Sequence, residues 1–114
     1  MYIKLTKKKD FENVAKFGRL FFVKELGFKV VRNSLQRNRY GIVVSLKIDK
    51  RATVRNRIRR QIREIIRLND KNFKQGFDVM VLTREGVKEL NYKEIEAKLV
   101  RLFRKAGLLT STQF

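Results

Sequence analysis

Hydrophobic spacing along the chain alternates between a helical period near 3.6 and a strand period of two, and each switch marks an element. Phe11, Val14 and Ala15 share one side of a helix that Thr6 is placed to N-cap and that runs to about Phe17, with Gly18 as its stop. Apolar β-type runs follow at 20–23, 28–31 and 39–46, the last with Tyr40, Ile42 and Val44 on one face. The polar run at 33–38 suits a hairpin loop. The strongest helical signal covers 52 to about 68, where Val54, Ile58, Ile62, Ile65 and Ile66 recur as one stripe. Gly76 then precedes a strand at 77–83. Asn91 and Glu94 have capping-box spacing ahead of a last helix, whose stripe is Ile95, Leu99, Leu102, Phe103 and Ala106 and whose end is Gly107. The predicted order is α-β-β-β-α-β-α, an α+β fold with a four-stranded sheet packed against helices.

No proline, repeat or low-complexity run divides the 114 residues, so 1–114 reads as a single domain. No run approaches the ~18 apolar residues of a membrane span, and the opening Met1-Tyr2-Ile3-Lys4 has no signal-peptide core. A cytoplasmic location and no membrane partner are expected.

Charge changes this picture most. Lys and Arg total 29 against 11 acids, a formal charge of +18. Self-repulsion of that size destabilises a compact chain unless a polyanion offsets it. Nucleic acid is the leading partner, and RNA rather than DNA is expected. Cys and His are both absent, which removes thiolate sites, Cys nucleophiles, the commonest metal ligand and imidazole acid–base chemistry. Independent catalysis would have to rest on carboxylates. Glu94 and Glu96 sit two apart and face different directions, which suits caps and surface charge. Asp49 lies near the basic helix, where it could assist a Mg²⁺ held by RNA.

The charge concentrates in Arg55-Asn56-Arg57-Ile58-Arg59-Arg60-Gln61-Ile62-Arg63-Glu64. Steps of about 100° per residue put Asn56, Arg59, Arg60, Arg63 and Arg67 opposite the apolar stripe, with Arg55 and Arg57 on its flanks. An ordinary solvated face would mix Lys with Glu. Here six arginines between Arg55 and Arg67 meet one acid, Glu64. Guanidinium forks match pairs of phosphate oxygens and stay charged. Lys7, Lys8 and Lys9 oppose the dipole of the first helix, a conflict that a phosphate would remove. Phe21, Phe22 and Phe28 are candidate stacking surfaces for bases, with core packing as the plain alternative.

These residues resemble a known family. The run from Tyr40-Gly41 through Lys47 and Arg51 to Arg55-Asn56-Arg57-Ile58-Arg59-Arg60 is similar to the signature of the bacterial ribonuclease P protein component. Lys8-Lys9-Asp10-Phe11 and Lys16-Phe17-Gly18 resemble its first helix, and Leu102-Phe103-Arg104-Lys105 its last. Ala15 stands where the family usually has a second aromatic, and Leu46 where a basic residue is common. The resemblance implies the same element order. It implies an accessory subunit, inactive alone, in an enzyme whose RNA removes the 5′ leader of precursor tRNA with Mg²⁺ held mainly by RNA and none bound tightly by the protein. The implied partners are ribonuclease P RNA and precursor tRNA. Lys47, Arg51, Arg55, Asn56, Arg57, Arg59, Arg60 and Arg63 would contact RNA, and Phe11, Phe17, Phe28 and Lys8 would form a cleft for the single-stranded leader. A ribosomal or other structural RNA-binding protein is the alternative.

Overall fold

A computed structural model describes residues 2–110. It contains α1 (Lys8–Phe17), β1 (Arg19–Phe22), β2 (Leu26–Arg32), β3 (Arg39–Val43), α2 (Ala52–Asn69), β4 (Phe77–Thr83) and α3 (Tyr92–Lys105), with single 3-10 turns at Asp70–Asn72 and Val87–Glu89. The strands form one mixed sheet in the order β1-β2-β4-β3. β4 runs antiparallel to β2 and parallel to β3, so α2 is the crossover between two parallel neighbours.

Alternation along the central strands sorts the side chains into two faces. Leu26, Phe28 and Val30 of β2, Val79 and Val81 of β4, and Tyr40 of β3 join Ile58, Ile62, Ile65 and Ile66 of α2 and Ile95, Leu99, Leu102 and Phe103 of α3 in the main core. On the other face Met80 joins Leu5 and Val14, with Phe11, Val31 and Leu82 against them, so among the described residues α1 is the helix on that side. The sheet is therefore sandwiched, one helix on one side and two on the other.

Several boundaries depart from the sequence expectations for identifiable reasons. Thr6 does not cap α1: the helix begins after Lys7, whose backbone is extended and whose side chain caps nothing. Residues 3–5 are instead drawn onto the open edge of β3, where Leu5 N–H donates to Tyr40 O and Tyr40 N–H to Ile3 O, both at 2.8 Å. Gly18 does follow α1, but at φ −69° it is not left-handed. A Cβ there would stand 2.5 Å from the Val14 carbonyl oxygen, so close approach is what requires glycine. Gly107 is the left-handed stop, at φ +73°. Gly107 N–H donates to Arg104 O at 3.0 Å and Leu108 N–H to Phe103 O at 2.8 Å, which closes α3 as a Schellman turn. The capping box of Asn91 and Glu94 is present at the other end of that helix.

The segment 33–38 is not a hairpin, because β4 lies between β2 and β3. It binds the loop before β4 instead. Asn33 N–H donates to Gly76 O at 3.0 Å, Asn38 Nδ2 donates to Lys74 O at 2.8 Å, and Asn38 Oδ1 accepts from Phe77 N–H at 2.9 Å. β3 stops at Val43, opposite Leu82, short of the expected Leu46. Leu46 is 65% exposed.

Asn38 also donates to the Tyr40 hydroxyl at 3.0 Å, and that hydroxyl donates to Asp70 Oδ1 at 2.5 Å. The network ties β3, the end of α2 and the entry to β4. Burial, and then the bond to Asp70, push the Tyr40 phenol far above its usual range. It stays a neutral donor throughout neutral pH. Tyr40→Phe removes a bond to an acid and should cost about 1–3 kcal/mol at neutral pH, read by urea unfolding. A raised folded pKa gives stability that is complete below the unfolded value and falls as pH rises past it. The gap between the two proteins should therefore narrow above about pH 10.

Candidate nucleic-acid interface

α2 owes its orientation to its isoleucines. Ile58, Ile62, Ile65 and Ile66 have no exposed surface, which forces Asn56, Arg57, Arg60, Arg63 and Arg67 outward into solvent. Arg55 and Arg59 lie half-buried on the flanks, as does Glu64.

The cations divide by what they touch. Arg51 grips Asp49 through Nε at 3.0 Å and Nη2 at 2.9 Å, and Lys88 reaches the second oxygen at 3.2 Å. Arg51, chiefly through its side-chain hydrogen bond, holds the Asp49 carboxyl well below the usual carboxylate range. Arg55 donates to the carbonyls of Asp49 and Lys50 at 3.0 and 2.7 Å, folding the entry loop onto the helix. Arg59 donates to Asn56 Oδ1 at 2.8 Å and to Val44 O, beyond the end of β3, at 3.3 Å. Arg67 pairs with Glu64, its Nε at 3.1 Å. Arg57, Arg60 and Arg63 have no acidic partner among the described residues. The exposed ridge thus combines fixed arginines at its start with uncompensated ones along its middle.

The helix start adds to this field. α2 has no acid in its first turn, and its N-cap residue, Arg51, offers no side-chain acceptor. The helix dipole favours an anion at this end, and the Asp49 carboxylate accepts from the N-cap Arg51 N–H at 2.8 Å just before it. Lys47 is exposed in the loop before it and lines a surface cup of about 540 Å³ with Arg84 and Lys88 and with the acids Glu85 and Glu89.

α1 carries the second element. Phe11 is half-buried, its ring directly over Gly41 of β3, where a Cβ would meet Cε1 at 2.5 Å. Phe11 and Gly41 line a pocket of about 140 Å³ that Arg59 and Arg63 of α2 also border. An aromatic ring and the arginine ridge therefore share one recess. Arg39 positions α1 beside it: its guanidinium binds Asp78 at 2.8 and 2.6 Å and Asp10 of α1 at 3.1 Å. Sequence reading missed this triad. Asp78 was the available signal, a lone acid in the otherwise apolar run 77–83.

The proposed cleft residues do not converge. Phe28 is fully buried, packed edge-on against Phe21 and Phe103 at centroid distances of 5.8 and 4.9 Å. Its place on β2 turns it to the main core, so it cannot line a cleft. Phe17 is 63% exposed. It follows Phe11 by six positions, roughly 9 Å along the helix and on another side of it. Lys8 stands in solvent, its ammonium 3.8 Å from Glu12.

Comparison with known proteins decides the family. The family model described as Ribonuclease P matches residues 2–107, nearly the whole chain. The chain belongs to the ribonuclease P protein family. The ribonuclease P protein component of Clostridium botulinum (strain Loch Maree) is 39% identical over 106 residues, 92% of this chain and 95% of the relative. That of Alkaliphilus metalliredigens is 39% identical over 107 residues, 94% of this chain and 96% of the relative. The solved ribonuclease P protein of Thermotoga maritima, in complex with 1-(4-fluorophenyl)-2-thiourea, superposes with TM-score 0.83 at 30% identity, covering 90% of this chain and 98% of that one. The Staphylococcus aureus ribonuclease P protein shares the fold, with TM-score 0.86 at 24% identity over 96% of this chain and all of that one. This family member is a ribonuclease P subunit, which sets it in tRNA processing and apart from a ribosomal protein.

The fit between Phe11 and Gly41 can be tested. Gly41→Ala should destabilise this family member by about 1–3 kcal/mol through overpacking. In a Phe11→Ala background the same substitution should cost little, so unfolding of the four proteins gives a large coupling energy. Equal costs in both backgrounds would show that the ring does not depend on the glycine.

Proposed function

We propose that this chain serves a ribonuclease P holoenzyme in which the RNA performs the chemistry. The arginine ridge of α2 would hold ribonuclease P RNA through Lys47, Arg51, Arg55, Asn56, Arg57, Arg59, Arg60 and Arg63. The recess under Phe11 would receive the single-stranded leader of precursor tRNA, and the reaction would hydrolyse the phosphodiester at the mature 5′ end. The observation that carries the reading is the one-sided ridge, with Arg57, Arg60 and Arg63 free of acidic partners among the described residues. Arg51 and Arg55 would act mainly by fixing the loop that presents it.

The protein's own donors do not suit a catalytic Mg²⁺. Among the described residues no three His, Cys, Asp or Glu side chains converge, and both Asp49 oxygens are taken by cations. The reading therefore assigns the Mg²⁺ of the holoenzyme to RNA. The protein's part is to neutralise phosphates that would otherwise repel each other as substrate meets RNA. Among the described residues no helix is long and apolar enough to cross a membrane, and the reading places the complex in the cytoplasm.

The deciding experiment is cleavage of precursor tRNA at low Mg²⁺ by a bacterial ribonuclease P RNA, with and without this chain. Stimulated cleavage at the mature 5′ end, with none by the protein alone, is expected. Tight RNA binding without stimulation of a cognate RNA would instead point to a structural RNA-binding protein. On the same complex, Arg60→Ala should weaken RNA-subunit binding and flatten its log–log salt dependence by about one unit. An unchanged slope would remove α2 from the interface.

A further inference from the structure

β1 is an outer strand of the sheet, and α3 borders its free edge. Val23 N–H donates to Leu26 O at 2.8 Å, which sets the alternation of the β1–β2 ladder. Arg19, Phe21 and Val23 turn their backbone groups to β2, and Leu20 and Phe22 turn theirs outward. Lys105 of α3 marks that outer side, its Nζ donating to Phe22 O at 3.3 Å. Among the described residues no strand pairs with it.

The two faces that flank this edge differ in chemistry. On the α1 side of the sheet, Leu20 and Phe22 are each 53% exposed and belong to neither core cluster. On the α3 side, Phe21 is held against the core, and the Arg19 guanidinium lies 5.3 Å from its ring centroid. Lys98, Arg101 and Lys105 are spaced three and four apart, so they form one stripe of α3. Lys98 meets Glu25, in the turn after β1, at 3.0 Å, and Lys105 meets Phe22, so the stripe runs beside the strand with Arg101 between. Arg19, Arg101 and Lys105 are exposed and form no ion pair among the described residues.

An open strand edge is matched by a partner with its own ladder of amides, which an extended peptide has and nucleic acid lacks. Successive side chains of such a peptide alternate between faces. One set would lie beside Leu20 and Phe22, and the other would face Arg19, Arg101 and Lys105. We propose that this edge docks an extended segment of an acidic protein, apolar at alternate positions with Asp or Glu between them, as a fifth strand. Lysine at a strand edge discourages indiscriminate pairing, and a carboxylate can draw Lys105 off Phe22 O where a neutral strand cannot. A second copy of this chain is disfavoured, because it would bring another charge of +18 to the same line. None of the residues assigned above to RNA takes part.

The test uses the full chain and a fluorescein-labelled peptide of alternating valine and glutamate, about eight residues long, with binding read by fluorescence anisotropy. Its block isomer, all valines before all glutamates, carries the same charge and should bind about fivefold more weakly or worse. Phe22→Ala should weaken the alternating peptide about two- to fivefold. Arg101→Gln should weaken it too, with the difference closing at high salt, whereas Arg60→Ala on the arginine ridge should leave it unchanged. Methylating the amides of the valines and those of the glutamates should give unequal results, one set abolishing binding, because only one set faces β1. Equal binding of the two isomers, equal effects of the two methylations, or a loss in Arg60→Ala matching that in Arg101→Gln would each reduce the edge to a general anion surface and overturn the proposal. So would Phe22→Ala and Arg101→Gln proteins that bind the peptide normally but an oligouridylate weakly, which would assign the edge to RNA. Melting curves check folding; if Phe22→Ala does not fold, the isomeric and methylated peptides, which leave the protein unaltered, decide alone.

Discussion

Everything functional here hangs on the burial of one helix stripe. Ile58, Ile62, Ile65 and Ile66 seat α2 on the sheet with no exposed surface, each worth about 1.5–3 kcal/mol relative to exposure. That must hold a helix whose outer side carries a line of mutually repelling arginines. The apolar side fixes the helix rotation, and the rotation determines which guanidinium groups reach solvent. A polar residue at any of these positions would both weaken the fold and free the ridge to turn.

The same logic orders the rest of the molecule. Because β4 is inserted between β2 and β3, α2 has to cross back over the sheet, which brings Arg59 to the carbonyl of Val44 at 3.3 Å. The open edge of β3 is partly occupied by residues 3–5, and this places α1 so that Phe11 meets Gly41. Arg39 then ties α1 to both β3 and β4 through Asp10 and Asp78. Asp78 is only 3% exposed in its side chain. A buried pair is weak evidence of net stability, but it is costly to break and so preserves one geometry. It is a positioning device for the recess.

Local periodicity made the elements legible, and only local periodicity. The strand at 77–83 and the start of α2 at Ala52 were read to the residue, since both are long apolar patterns with clear flanks. The capping box and the left-handed Gly107 were legible because they are side-chain and backbone chemistry of neighbouring residues. What failed was non-local. Thr6 has the chemistry of a cap, but edge pairing of Ile3 and Leu5 with Tyr40 overrides it. The run 33–38 has the composition of a hairpin, but strand order lies in long-range pairing that composition does not encode. Phe28 failed for a related reason: a ring on a central strand meets helices on either face, and only the fold says which side is covered.

The balance of charge at α2 points the same way as its geometry. A helix start with no acid and no side-chain cap forgoes about 0.5–2 kcal/mol that a Ser, Thr, Asp or Asn cap would supply. Glu64 neutralises Arg67 at the far end, and Asp49 serves Arg51 and Lys88 before the first turn. Between them the ridge is left uncompensated. Both departures from helix optimisation cost the free protein stability, and an anion bound at this surface would offset both by completing the cap and relieving the repulsion. On the proposed reading the guanidinium groups that cost the free chain stability are the ones that would hold RNA, and folding would then be linked to RNA binding through them.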